Sequence, residues 1–100
     1  MLDIKLTKGQ PEYAQIAEQV RLAVARGTLQ PGDRLESVRE LAARLGVNAS
    51  TVARAYRELE QAGVIETHGR RGTLVAARGA SVARARPQAE AQAPPRSPRR

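Results

Sequence analysis

The polar side chains with the clearest binding chemistry lie close together in the middle of the chain. If this stretch is a helix, one face of it presents Asn48, Ser50, Thr51, Arg54 and Arg57. Amide and hydroxyl groups can hydrogen-bond base edges or phosphate oxygens, and arginine can reach guanine or the sugar-phosphate backbone. The free N–H groups at a helix N-terminus add a place for a phosphate. These residue types are suited to contact with double-stranded DNA.

The remaining candidate residues lie on either side of that stretch: Arg39, His68, Gly69, Arg70 and Arg71. Arg39 is near the start of the preceding helix, where a phosphate contact is reasonable. Arg70 and Arg71 stand between glycines and form a cationic tip, and the negative potential of a minor groove attracts arginine. His68, beside this tip, is predicted to be a polar contact near the backbone or a plain surface residue rather than a catalytic group. Exposed arginines and polar turns are also common on surfaces with no binding role.

Composition excludes most catalytic chemistry. The chain has one histidine and no cysteine, so it can form no disulfide, no thiolate metal site and no typical zinc site. No acid-base pair, phosphate-binding loop or metal-ligand set can be assembled from its residues. We therefore expect no catalytic residues, no metal and no cofactor, and a protein that is not an enzyme.

Three helices are predicted to position the candidate residues. The first begins at Pro11 and ends at Gly27. The second begins with a capping box formed by Ser37 and Glu40, and the third begins at Asn48 as N-cap. The last two face one core across a short turn that starts with glycine, which is typical of a helix-turn-helix. Their apolar residues recur at helical spacing: Tyr13, Ile16, Ala17, Val20, Ala23 and Val24, then Val38, Leu41, Ala42 and Leu45, then Val52, Ala55, Tyr56, Leu59 and Ala62.

The pattern changes period after Gly63. Residues 64–68 and 73–75 favour strands, and the intervening Gly-Arg-Arg-Gly favours a tight turn. The predicted fold is α+β and mainly α, a winged helix-turn-helix of three helices followed by a two-stranded hairpin wing. Residues 3–7 alternate in polarity and could add a short strand.

The charge is unevenly distributed along the chain. The net charge is +7, but residues 1–77 hold 11 basic and 9 acidic groups, whereas residues 78–100 hold 6 and 1. The second segment is rich in Ala, Arg and Pro and has too few large apolar residues to offset its ordering entropy. We therefore predict a DNA-binding domain at 9–77 and a disordered basic tail at 78–100. The tail either has no role or attracts phosphate without regard to sequence.

Nothing in the sequence suggests a membrane protein. Its uncharged stretches are much shorter than a membrane span, and the first ten residues lack a secretory apolar core. The expected location is the cytoplasm.

The motifs PGDRL, SVRELA, LGVN, TVARAYRELE and GVIE stand in an order and spacing similar to those of GntR-family winged-helix domains, over residues 11–76. The pattern N-x-x-T-V-x-x-A-Y-x-E-L most resembles the small YtrA-like subgroup. This resemblance implies a bacterial transcription regulator, either a repressor or an activator, that binds a pseudo-palindromic operator as a homodimer, at the nucleoid when bound. Carried over by motif, it implies DNA contacts from Arg39, Asn48, Ser50, Thr51 and Arg54, and from His68, Gly69 and Arg70.

Three departures from the family pattern bear on function. Glu36 stands where proline is common and puts a negative charge near the expected DNA face. Ala49 and Ala53 replace arginines with which larger members read guanine. Family members also continue into a further domain, whereas this tail offers no apolar stripe, so no effector pocket is predicted. A dimer surface would then come from the N-terminal segment or from Leu22 and Leu29.

Two other functions remain open from the sequence alone. The winged helix could be a scaffold for binding another protein, since a fold does not fix a function. Alternatively, the tail alone could coat nucleic acid non-specifically.

Overall fold

A computed structural model of the chain describes residues 2–85, which form four helices and one two-stranded antiparallel sheet. In chain order the elements are α1 (Glu12–Ala25), α2 (Val38–Leu45), α3 (Ala49–Ala62), β1 (Ile65–Thr67), a 3-10 turn (Gly69–Arg71), β2 (Thr73–Val75) and α4 (Gly79–Ala85). The predicted order of three helices followed by a hairpin is therefore present, with one further helix after it.

The core lies where α1, α2 and α3 meet. Its largest fully buried side chains are Ile16, Val20, Val24, Leu41, Val52, Val64 and Ile65. Burying a side chain of this kind contributes roughly 1.5 to 3 kcal/mol. Because α3 packs on both α1 and α2, its apolar face is fixed inward and its polar face is turned outward.

The predicted capping box at the start of α2 is present. The Ser37 hydroxyl accepts from the Glu40 N–H at 3.0 Å, and the Glu40 carboxylate accepts from the Ser37 N–H at 2.9 Å. The second of these bonds holds the pKa of the Glu40 carboxyl below its usual value. At the other end, Gly46 ends α2 in the left-handed region at φ 73°, which lets the chain turn sharply toward α3.

The hairpin is joined to the rest of the domain by residues 32–35, which lie between α1 and α2. β1 and β2 pair with Thr67 opposite Thr73. Residues 32–35 run along the other side of β2: the Leu35 N–H donates to Thr73 O at 2.8 Å, and the Val75 N–H donates to Asp33 O at 2.9 Å. These bonds connect the wing to the chain that enters α2.

The short strand considered at residues 3–7 does not form. This segment instead lies along α1, where the Gln15 side chain accepts from the Thr7 N–H at 2.7 Å and donates to Thr7 O at 2.8 Å. Gln19 contacts the backbone of Lys5 in the same way, at 2.9 and 2.6 Å. Two glutamine side chains thus supply the backbone partners that a neighbouring strand would otherwise provide, and Ile4 is buried beneath the segment.

The structure also differs from the expectation of a disordered tail beginning at residue 78. Gly79–Ala85 forms α4, which packs on α1 and buries Ala83 completely. Large apolar residues were expected to be necessary for order in this segment, but small residues allow this helix to approach α1 closely. The Arg21 guanidinium reaches across to donate to Ala83 O. The rest of the predicted tail, residues 86–100, lies outside the described residues.

Gly72→Ala is expected to destabilise the wing more than Gly69→Ala. Gly72 has φ 84° and ψ −155°, a region essentially restricted to glycine, and a Cβ there would lie 3.2 Å from Arg34 Nε. We expect a loss of about 2 kcal/mol in the free energy of unfolding at Gly72. Gly69 has φ 43° and open space around it, so its replacement should cost about 1 kcal/mol. Urea unfolding of both variants measures the difference, and a smaller loss at Gly72 would contradict this reasoning.

Candidate nucleic-acid interface

The outward face of α3 brings together the five candidate residues predicted for it. Asn48 precedes the helix, Ser50, Arg54 and Arg57 are exposed, and Thr51 is half-buried. The buried residues of the helix lie on the opposite side, against α1 and α2. The face therefore combines an amide, two hydroxyls and two guanidinium groups that remain accessible.

Asn48 differs from its predicted role as a side-chain cap. It occupies the N-cap position in extended geometry, with its carbonyl accepting from the Thr51 N–H at 3.0 Å, but its side chain makes no capping hydrogen bond. Its amide group and the first N–H groups of α3 are consequently left available for an external partner.

Arg54 makes a contact that the sequence analysis missed. Its guanidinium carbon lies 3.8 Å from the centroid of the Tyr13 ring, and its Nη2 donates to the Tyr13 hydroxyl at 3.2 Å. A cation over an aromatic face is attracted by the ring quadrupole. Tyr13 was assigned only to the buried face of α1, and nothing in its spacing distinguishes a core tyrosine from one that also supports an arginine.

Tyr13 and Arg54 form part of a shallow polar cleft between the start of α1 and the outward face of α3. Its lining residues are Glu12, Tyr13, Ser50, Thr51, Arg54 and Arg57. The cleft presents hydroxyl and guanidinium donors at the edge of α3, which suits a phosphate group.

Glu36 is paired, contrary to the concern that it would place a free negative charge near the DNA face. Its carboxylate accepts from Arg44 Nε at 3.0 Å and from Arg44 Nη2 at 2.7 Å, and Arg44 also donates to Leu2 O at 2.8 Å. The hydrogen bond to Glu36 raises the pKa of the Arg44 guanidinium. Arg44 on α2 thus bonds to Glu36 and to the backbone of the N-terminal segment. Arg39 on the same helix is exposed.

Tyr56 connects α3 to the chain that enters α2. Its hydroxyl donates to Glu36 O at 2.7 Å, and the ring is buried. Burial raises the pKa of the phenol, so it stays protonated and continues to donate at neutral pH. This bond helps to fix the orientation of α3 relative to α2.

The wing carries exposed cations at its tip. Arg70 and Arg71 lie in the 3-10 turn, and the His68 N–H closes that turn by donating to Gly72 O at 2.8 Å. The His68 ring nitrogen Nε2 lies 2.7 Å from the Glu66 carboxylate, so the polar contact of this exposed ring is with a side chain rather than with the backbone. Arg34, which the sequence analysis did not select, packs its guanidinium beside Gly72 and adds a third cation near the wing.

The chain matches a model of the family described as bacterial regulatory proteins, gntR family, over residues 12–75. It is 51% identical over 74 residues to the HTH-type transcriptional regulator Rv1152 of Mycobacterium tuberculosis, covering 74% of this chain and 61% of that protein. It is 44% identical over 75 residues to the HTH-type transcriptional repressor YtrA of Bacillus subtilis, covering 75% and 58%. The chain thus spans about three fifths of the length of these relatives.

The fold also matches a crystal structure of the AraR DNA-binding domain in complex with its operator ORE1. The TM-score is 0.64 at 26% identity, and the match covers 74% of this chain and 93% of that one. The predicted winged helix-turn-helix is confirmed by this likeness. The named relatives are transcription regulators rather than enzymes, as the composition led us to expect.

Proposed function

The chain belongs to the GntR family of bacterial regulatory proteins, and we propose that it is a sequence-specific DNA-binding transcription regulator that acts as a repressor. In this proposal α3 enters the major groove and the wing lies at the minor groove. The observation that carries it is the outward face of α3, where Asn48, Ser50 and Thr51 bring one amide and two hydroxyl groups together at the N-terminal end.

The geometry of α3 supports its proposed position. The helix has 14 residues, and the major groove of B-DNA is about 12 Å wide, enough to admit an α-helix. Ala49 and Ala53 have small side chains, so the backbone of α3 can approach the base edges. Asn48, Ser50 and Thr51 then contact bases or phosphates, with the N–H groups of the first turn directed at a phosphate.

The exposed cations are assigned mainly to the sugar-phosphate backbone. Arg39 at the start of α2 and Arg57 on α3 are proposed phosphate contacts. At the wing, the residues proposed to reach the minor groove are His68, Gly69, Arg70 and Arg71. A narrow minor groove has a stronger negative potential, which attracts arginine.

We further propose that two copies bind a pseudo-palindromic operator at the nucleoid. A single α3 can read only a few base pairs, and two-fold symmetry doubles the sequence read, with half-sites about one helical turn apart. Of the surfaces considered from the sequence, Leu29 packs against the core, whereas Leu22 borders a groove beside the N-terminal segment. Leu22 and that segment are therefore the better candidates for a contact between copies.

No helix within residues 2–85 combines the length and apolar character needed to cross a bilayer.

Selection of bound sequences from a pool of random duplexes is the experiment that tests this function. We expect enrichment of a pseudo-palindrome by the full chain at about 0.15 M salt, and the same sequence for a chain that ends at Ala85. The shortened chain keeps α4, which packs on α1, and removes four of the arginines.

The two chains separate the competing functions. If truncation after Ala85 abolished all binding, residues 86–100 would be the binder and the regulator proposal would fail. If neither chain enriched any sequence, the protein-interaction function would be favoured instead.

A further inference from the structure

We infer that Tyr13 is a positioning residue of the DNA interface: it holds Arg54 beside the start of α1, where Arg54 binds a phosphate of the DNA backbone rather than a base. The inference rests on the proposed function, because it concerns how the same interface binds DNA. It adds α1, an element outside the helix-turn-helix, to that interface.

Tyr13 holds the Arg54 guanidinium through two contacts, one with its ring and one with its hydroxyl. The central carbon of the guanidinium lies over the Tyr13 ring, 3.8 Å from the ring centroid, and its Nη2 donates to the Tyr13 hydroxyl at 3.2 Å. The Glu58 carboxylate lies 3.9 Å from Nε, but both side chains are about half exposed, so this ion pair contributes little. A free arginine samples many rotamers, and the ring restricts Arg54 to those directed toward α1.

The direction in which Arg54 is held decides what it binds. Tyr13 lies at the first turn of α1, and the cleft between it and α3 contains the hydroxyls of Ser50 and Thr51 and the guanidinium of Arg57, with the Glu12 carboxylate at its α1 side. The guanidinium is therefore drawn sideways from the outward face of α3 into a group of donors at its edge. Tetrahedral phosphate oxygens match several donors of this kind at once, whereas a base edge requires one planar pair.

Arg54 remains accessible to a ligand in this arrangement. Its side chain is 57% exposed, and among the described residues its Nη1 has no hydrogen-bond partner. At least one N–H group of Arg54 is therefore left for a phosphate oxygen, while the Tyr13 ring restricts the orientation of the guanidinium.

A double-mutant cycle on the selected duplex tests this inference. The four proteins are the full chain, Tyr13→Leu, Arg54→Ala and the double variant, with Tyr13→Phe as the conservative control. Affinity is measured between 0.05 and 0.3 M salt on the duplex that the unaltered chain enriches and on an unrelated duplex of equal length.

Arg54→Ala should flatten the slope of log K against log salt by about 0.9, the contribution of one phosphate. It should weaken binding by a similar factor on both duplexes. Tyr13→Leu should weaken binding about 2- to 5-fold, the scale of an exposed cation–π contact, and Tyr13→Phe by less than 2-fold. In the Arg54→Ala background, Tyr13→Leu should have no further effect.

The opposite outcomes are distinct. If Tyr13→Leu weakened binding equally with and without Arg54, Tyr13 would contact DNA itself and the positioning role would be wrong. If Arg54→Ala weakened binding only to the selected duplex, Arg54 would read a base. A loss of folding would lower the melting temperature of the variant, without changing the DNA affinity of the molecules that remain folded. Failure of the unaltered chain to enrich any duplex would instead overturn the proposed function.

Discussion

Gly79→Val should lower the free energy of unfolding by about 3 kcal/mol, at the upper end of what forced packing costs. Gly79 begins α4, and a Cβ at this position would lie 2.6 Å from the carbonyl oxygen of Val64. That oxygen cannot easily move, because it accepts a hydrogen bond from the Ala76 N–H at 3.0 Å. The helix must therefore shift away from the domain and expose Ala83. At about 4 to 8 °C per kcal/mol for a domain of this size, we expect the melting temperature to fall by about 12 to 24 °C.

Ser81→Val is the matched control, since Ser81 is exposed on the same short helix. It should change stability by less than about 0.5 kcal/mol. Below its melting temperature the Gly79→Val protein should still bind DNA with unchanged affinity, because α4 contacts Arg21 and Ala25 in the second half of α1, away from Tyr13 and the proposed interface. Equal losses from both substitutions would show that α4 is not held by its close contact with the domain.

The elements that could be predicted from the sequence are those whose signals are local. The capping residues Ser37 and Glu40 and the terminating glycines Gly46 and Gly63 act within one turn of a helix, and the structure places each helix boundary within two residues of them. The hairpin likewise follows from two short β-favouring runs around a glycine-bounded turn.

The elements that were missed depend on partners far away in the chain. Apart from Val82 and Arg84, α4 contains only small residues, and it is ordered because α1 offers a surface that small residues can approach closely. The N-terminal segment is held by the side chains of Gln15 and Gln19 rather than by a strand. Neither partnership leaves a periodic pattern in the sequence.

The same limitation applies to the candidate site. The residue types on α3 were identifiable from helical spacing, but which arginines are free was not. Arg44 is occupied by Glu36, and Arg21 by Glu18 and Ala83 O, whereas Arg39 and Arg57 are exposed. Net charge therefore overstates the number of cations that can meet DNA, and the position of each arginine decides its role.

Neutralising the tip of the wing should produce the largest loss of DNA affinity. Arg70 and Arg71 are exposed at the turn. If each neutralises one phosphate, the double variant Arg70→Gln/Arg71→Gln should flatten the slope of log K against log salt by about 1.8. At 0.1 M salt this corresponds to an affinity loss on the order of 60-fold. Because the wing is proposed to lie at the minor groove, the variant should also lose any preference for narrow A·T-rich sequence at that position.

A matched pair of exposed arginines distinguishes this role from a simple effect of net charge. Arg78 precedes α4 and Arg84 lies in its last turn, so Arg78→Gln/Arg84→Gln removes the same two charges outside the proposed interface. Its salt slope should stay within about 0.3 of the unaltered value, since charges beyond a Debye length of about 10 Å at 0.1 M salt are largely screened. Equal losses in the two double variants would mean that the wing attracts DNA only through net charge. A loss confined to the wing variant would place Arg70 and Arg71 against the DNA itself.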